Sequence, residues 1–227
     1  MSEIAVAGRE LRKVYASSGG DPVVALDRVT FEIGRGEMVA LVGPSGCGKS
    51  TLLNLIGCID LPTSGELELG GNVTHALDDD ALTKLRREHV GTVFQFFNLL
   101  PALTVAENVA LPLELRRAPR SQIAPRVERV LEIVGIAHKR RAFPSELSGG
   151  EQQRAAIARA IVHEPTVVLA DEPTGNLDSK TGANVLELLR GLRAAGQTIV
   201  MATHSREAAA ICDRTIGMQD GRILCAC

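Results

Sequence analysis

The chain has 227 residues, a formal net charge of −2 and 23% charged residues, values that fit one large domain with a sizeable core. The near-neutral balance gives no basic field for nucleic acid, and 3% aromatic residues leave little for stacking on bases, so no nucleic-acid partner is expected. No run approaches the roughly 18–20 apolar residues that cross a bilayer.

The N-terminus, MSEIAVAGRE, lacks the basic start and apolar stretch of a signal peptide, so a cytoplasmic chain is expected. The first 35 residues read as β structure, with Val23 to Ile33 ending at the turn signal Gly34-Arg35-Gly36. Met38 to Val42 is a continuous apolar run, as expected of a strand covered on both faces. A glycine-rich loop follows, and Lys49 to Ile59 has helical apolar spacing. Pro62 to Gly65 reads as a turn, Glu66 to Val73 as a strand or hairpin, and Leu77 to Glu88 as partly helical behind the solvated start Asp78-Asp79-Asp80.

Val90 to Phe94 is a further strand candidate, after which strand signals vanish from Phe96 to about His163. In that stretch Val105–Leu115, Ile123–Val134 and Glu151–His163 show helical spacing. Strand-type runs return at Thr166–Ala170 and Thr198–Ala202, separated by a helix over Lys180–Ala195. This order implies an α/β fold, with a mostly parallel sheet interrupted by a helical insert.

Gly43-Pro44-Ser45-Gly46-Cys47-Gly48-Lys49-Ser50 matches G-x-x-x-x-G-K-[ST] between a buried strand and a helix. The glycines let backbone N–H groups turn inward around phosphate, and the helix offers its positive end to the same anion. Lys49 supplies a point charge, Ser50 a hydroxyl for Mg²⁺ with Thr51 beside it, and Cys47 reads as a small filler. Val167 to Ala170 delivers Asp171 and Glu172 to the end of a strand. There Asp171 suits a Mg²⁺ ligand, and Glu172 is free to orient or deprotonate water. Gln95 and His204 each follow a strand, where an amide could touch Mg²⁺ and water and an imidazole could hydrogen-bond the γ-phosphate.

Leu147-Ser148-Gly149-Gly150-Glu151-Gln152-Gln153-Arg154 carries a capping-box pattern, Ser148 with Glu151 three residues on. It places two glycines in the first turn of a helix, a second anion site in a chain that already has one. Two basic clusters, Arg116, Arg117 and Arg120, then Lys139, Arg140 and Arg141, read as solvated surface, with a face toward anionic lipid or a membrane partner as the weaker alternative.

With these motifs in order, and with Asn176-Leu177-Asp178 after the acidic pair, nearly the whole chain resembles the ATP-binding subunits of ABC transporters. The resemblance implies one ABC ATPase domain over 1–227, with a phosphate-loop NTPase fold. Its RecA-like parallel-sheet core and N-terminal antiparallel β portion would take residues 1–95 and 164–227, and a helical signature subdomain 96–163. It also implies ATP and Mg²⁺ as ligands, with ATP held by Gly43 to Thr51 and the metal by Ser50, Gln95 and Asp171. Lys49, Gln95, Glu172 and His204 would be catalytic. In that family two subunits sandwich two ATP molecules, so Ser148, Gly149 and Gly150 would act in trans and Asp178 would cross the dimer contact. Tyr15 stands where the family stacks an aromatic on adenine, its plain alternative being an ordinary strand residue.

VFQFFNLLPALTVAENV and DEPTGNLDSKTG are similar to the subgroup with lipoprotein-releasing and macrolide-exporting systems and the cell-division ATPase relative. That subgroup usually has Gln where this chain has Glu146 and Glu151. The resemblance implies a peripheral subunit on the cytoplasmic face of the inner membrane. It would work as a pair with a second copy of itself and drive a separate integral-membrane permease in export or lipid extraction; action in cell division or envelope signalling without solute transport is the alternative. The group around Gln95 is the expected coupling surface. A DNA-repair ATPase is disfavoured by the absence of a heptad arm, and a soluble kinase or GTPase would leave LSGGEQQR without a purpose.

The five cysteines, Cys47, Cys58, Cys212, Cys225 and Cys227, do not form a disulfide pattern, and Cys225 with Cys227 reads as a frayed tail of reduced thiols. From the short stretch beyond Gly221 no regulatory domain is expected.

Overall fold

A computed structural model describes residues 3–16 and 20–226. Two long strands, β1 (Ile4–Tyr15) and β2 (Val23–Gly34), pair antiparallel, and the hairpin β4 (Ser64–Leu69) and β5 (Asn72–Val73) adds to β1 in the order β2-β1-β4-β5. Between them in sequence come β3 (Met38–Val42) and α1 (Lys49–Ile56), and the hairpin is followed by α2 (Asp79–His89) and β6 (Val90–Val93). Next come α3 (Val105–Leu115), α4 (Arg120–Ile133) and α5 (Gly149–Ile161), the helical stretch without strands. The chain closes with β7 (Val167–Asp171), α6 (Ser179–Ala194), β8 (Ile199–Ala202), α7 (Arg206–Ala210), β9 (Arg214–Gln219) and β10 (Arg222–Ala226).

The second sheet has the order β10-β9-β3-β8-β7-β6, parallel except for the β9–β10 hairpin. Its alternating side chains feed two cores, as the period of two along a strand requires. Leu41, Val167, Leu169, Val200 and Ile216 join Leu52, Leu55 and Ile56 of α1 and the inner face of the antiparallel sheet. Met38, Val168, Ala170, Ile199 and Met201 join Ile157, Ala158 and Ile161 of α5 and Val185 and Leu189 of α6. Val105, Val109 and Leu113 of α3 and Val127, Val130 and Leu131 of α4 extend this second core into the helical stretch.

Several sequence readings need correction at their ends. α1 stops at Ile56 because Gly57 caps it, and Ile59, assigned to its apolar face, is 55% exposed. The turn expected over Pro62–Gly65 is already strand from Ser64. Val185, Leu186, Leu189 and Leu192 are the buried large side chains of α6. β9, β10 and α7 went unread, since RTIGMQ mixes polar residues into a short run and α7 is a single capped turn. Cys225 is not in a frayed end: its backbone lies opposite Gly217 in the β9–β10 ladder. Cys227 lies outside the described residues.

Candidate functional site: a phosphate loop beside four strand ends

The loop leaving β3 turns back through three glycines in the left-handed region, Gly43, Gly46 and Gly48 (φ 156°, 80° and 104°). A Cβ on Gly43 would sit 2.2 Å from the Met218 carbonyl oxygen of β9, and one on Gly48 2.7 Å from that of Ala25 in β2. The loop is thus clamped by strands on two sides, and only glycine satisfies both conformation and space. At Gly46 a Cβ would meet nothing, so this rim, with exposed Pro44 and Ser45, is open. Cys47 is buried and its carbonyl accepts from the Gly221 N–H, which fits the filler role.

Gly48 caps α1 without a side chain, and no acid stands in the first turn. The N–H groups of that turn therefore face the loop with their dipole uncompensated. Lys49 Nζ donates to the carbonyls of Gly43 at 2.8 Å and Pro44 at 3.0 Å. This ammonium has no carboxylate partner among the described residues. A cradle of N–H groups plus an unpaired cation fits a polyphosphate.

Tyr15, at the end of β1, donates its hydroxyl to Asp60 Oδ2 at 3.0 Å. Lys13 bridges from the same carboxylate to the Leu61 carbonyl, and its Nζ lies 5.0 Å from the Tyr15 ring centroid. Partial burial and then the Asp60 acceptor push the phenol's pKa upward, against the Thr51 hydroxyl. The ring is thereby held at the start of α1 with 38% of its surface open.

Register explains the rest of the site. Leu41 of β3 and Asp171 of β7 both lie opposite Ala202 of β8, and Val93 of β6 lies opposite Ala170. The residues just past these strands therefore emerge along one edge in spatial order: the loop at Gly43, then Thr203 and His204, then Glu172, then Gln95. Asp171 Oδ2 accepts from Ser50 Oγ at 3.3 Å. Burial pushes the Asp171 carboxyl up, the Ser50 hydroxyl holds it down, and the Glu172 charge adds to the rise. A hydroxyl and a half-buried carboxylate in contact offer the hard oxygen ligands that Mg²⁺ prefers. Among the described residues no group of three or more His, Cys, Asp and Glu side chains could hold a metal.

Glu172 departs from the sequence reading in one respect: its carboxylate is not free. Oε1 lies 2.7 Å from His204 Nδ1, and Oε2 accepts from Thr203 Oγ1 at 3.3 Å. Its backbone is left-handed (φ 46°), with the N–H bonded to the Ala202 carbonyl. His204 is thus turned with Nδ1 onto Glu172, which leaves Nε2 as its outward atom. Gln95 is half-buried, its carbonyl accepting from Asn176 Nδ2 at 2.9 Å.

The second helix end is formed as the pattern implied. Ser148 and Glu151 make a reciprocal capping box at α5. A Cβ on Gly150 would strike Thr181 of α6 at 2.4 Å. Asp178 caps α6 through the Thr181 N–H at 3.0 Å. Among the described residues, the hydrogen bonds of Ser148 to Gly150 and of Asp178 stay within these two helix starts and do not reach Gly43–Thr51 of the same chain. Glu146 bonds the Phe143 N–H, so both Glu-for-Gln positions keep an N-cap role.

Sequence reading missed Thr203, Asp60 with Lys13, Asn176 as a partner of Gln95, and Arg159, which donates to the carbonyls of Phe97 and Asn98. Only Thr203, adjacent to His204, carried a local signal. The others meet the site through contacts 45 or more positions apart in sequence.

The ABC transporter family model matches residues 26–175. The chain is 45% identical over 223 residues to the lipoprotein-releasing system ATP-binding protein LolD of Bordetella avium, covering 98% of this chain and 96% of that one. It is 47% identical over 215 residues to the macrolide export ATP-binding/permease protein MacB of Rhodospirillum rubrum, covering 95% of this chain but 33% of that longer protein. Among solved structures, a dimeric post-hydrolysis state of an ATP-binding cassette bound to ADP and Pi superposes with a TM-score of 0.88 at 42% identity, covering 97% of both chains.

Proposed function

This chain belongs to the ABC transporter family, and we propose that it binds and hydrolyses ATP, as a pair of copies, to drive a separate membrane permease. The observation that carries the reading is the convergence of Ser50 on Asp171 beside the Glu172–His204 contact, at the mouth of a phosphate loop.

In this reading the loop N–H groups and Lys49 hold the β- and γ-phosphates, and Tyr15 stacks on adenine. Ser50, Asp171 and Gln95 would hold Mg²⁺, which would neutralise charge on the phosphates. Glu172 accepts a proton from the attacking water as it adds to the γ-phosphorus and the bond to the β-phosphate oxygen breaks. With both ring nitrogens protonated, His204 donates from Nε2 to the γ-phosphate and from Nδ1 to Glu172.

The capped start of α5, with Ser148, Gly149 and Gly150, has no phosphate loop of its own chain to serve, so a second copy completes each site and Asp178 lies at that contact. This division makes 1–95 with 164–227 the nucleotide-binding core and 96–163 the insert that answers to the partner. The loop after Gln95, tied to α5 by Arg159 and presenting Phe96 at 72% exposure, suits the coupling surface. No helix among the described residues is long and apolar enough to cross a membrane. In this reading the chain sits on the cytoplasmic face of the inner membrane, held by its permease. Likeness to the lipoprotein-releasing and macrolide-export proteins favours export or lipid extraction.

The test is oligomeric state with and without hydrolysis. Glu172→Gln in saturating MgATP should sediment as a dimer and return to monomer when ATP is removed. A variant that binds MgATP yet stays monomeric, both alone and with its permease in detergent, would sink the shared-site reading. Wild-type hydrolysis should also rise faster than linearly with protein concentration; a strictly linear rise counts against it.

A further inference from the structure

A second cleft, of about 490 Å³, opens at the opposite end of the parallel strands. Its floor is Thr166 and Thr198, which precede β7 and β8, and one wall is α4 with Arg126, Arg129 and Ile133. The strands of five residues between this end and the nucleotide edge span about 16 Å. The cleft is therefore separate from the phosphate loop, and it straddles the seam between the helical insert and the core.

The polar groups around it are mostly occupied. Thr166 Oγ1 is 2.8 Å from His89 Nδ1, Thr198 Oγ1 accepts from the Gly36 N–H, and Gln197 donates to the Pro165 carbonyl. Arg35, at the rim, pairs with Glu3 at 3.1 Å. Glu128, the acid on α4 between the two arginines, is drawn to Arg140 at 3.1 Å. Arg126 and Arg129 are left with no ion pair and no hydrogen-bond acceptor among the described residues, although Glu164 also lines the cleft. Two like charges three positions apart on a helix repel each other. Here they stand over an apolar wall that includes Val130, Ile161 and Leu192.

We propose that this cleft binds a small amphiphilic anion, with carboxylate or phosphate heads on an aliphatic body, through Arg126 and Arg129. Guanidinium groups are suited to paired N–H donation to such heads. The aliphatic part takes the Val130, Ile133 and Leu192 side, and the volume falls in the usual range for small-ligand sites. A ligand held this way ties α4 to the bases of β7 and β8, so its occupancy bears on how the insert sits against the core.

The experiment is calorimetric titration of the full chain with suberate, an aliphatic dicarboxylate, and in a second arm with hexyl phosphate. Both are run with and without saturating MgATP on the Glu172→Gln variant. Saturable binding of either probe that persists in MgATP supports the site, and the stronger arm identifies the head group. The Arg126→Gln/Arg129→Gln double variant should weaken that binding at least about tenfold, and Glu164→Gln, which removes a carboxylate from the cleft, should strengthen it. Circular dichroism checks that the variants are folded. Absence of saturable binding by both probes, displacement by MgATP, or unchanged affinity in a folded double variant would overturn the proposal.

Discussion

Glu172 Oε1 and His204 Nδ1 lie 2.7 Å apart, and the buried Thr203 hydroxyl reaches the other carboxylate oxygen. The Ser205 N–H donates to Thr203 Oγ1, so that hydroxyl is left to spend its own proton on Glu172. The end of β8 therefore holds both oxygens of the carboxylate that follows β7.

In the proposed mechanism Glu172→Gln removes the proton acceptor, and it should lower the steady-state rate of phosphate release by about 10²–10⁴ while nucleotide affinity stays near wild type. Thr203→Val removes one orienting bond and should lower kcat by less than Glu172→Gln, with KM for ATP little changed, and Thr203→Ser should restore most of the rate. A Thr203→Val enzyme with wild-type kcat would show that the second oxygen needs no partner.

Gly48→Ala forces a side chain into a left-handed residue and within 2.7 Å of the Ala25 carbonyl. The conformational cost alone is about 1–2 kcal/mol, so urea denaturation should show at least that loss, and nucleotide affinity should fall with it. Gly46→Ala shares the positive φ but meets nothing, and should lose only the conformational part.

Ser148→Ala deletes the cap of α5 and should cost about 1 kcal/mol in urea denaturation. The Ser148 N–H and hydroxyl hold the Glu151 carboxyl below its ordinary range, so the folded state binds its proton less readily than the unfolded chain. That contribution is full above the ordinary glutamate value of about 4.3. It is lost as pH falls through the lower folded value. Denaturation midpoints between pH 6 and pH 3 should therefore drop less steeply in Ser148→Ala than in wild type.

His163 is buried with Nε2 on the Val90 carbonyl and Nδ1 without a partner among the described residues. Burial pushes its pKa down to about 4, Arg116 adding to the fall against the Val90 bond. An unfolded histidine takes up its proton near pH 6.5, before the folded one does, so stability falls as pH drops from about 6.5 toward 4 and the loss then levels off. The size is on the order of 3 kcal/mol. His163→Gln, measured by urea denaturation across that window, should flatten the slope. An unchanged slope would place the acid sensitivity elsewhere.

The chemistry-bearing stretches were legible because each is contiguous. The glycine loop, the Asp171–Glu172 pair at the end of an apolar run and the Ser148–Glu151 cap each need only a local backbone conformation. The three helices of the insert were legible for the same reason, their spacing matching the observed α3 and lying within a few residues of α4 and α5. β9 and β10 were not, because a short mixed run becomes a strand only when β3 offers it an unpaired edge.

Sequence by itself determined which glycines turn the loop after β3, which acids end a strand and where three successive helices lie to within a few residues, since side-chain type and spacing decide those locally. Only the tertiary structure decided that β3 lies between β8 and β9, and that Leu41 and Asp171 share Ala202 as their neighbour. That register brings Thr203 and His204 onto Glu172 and Ser50 onto Asp171. It arises from long-range pairing of buried strands, in which a slip of one residue would turn every side chain to the other core.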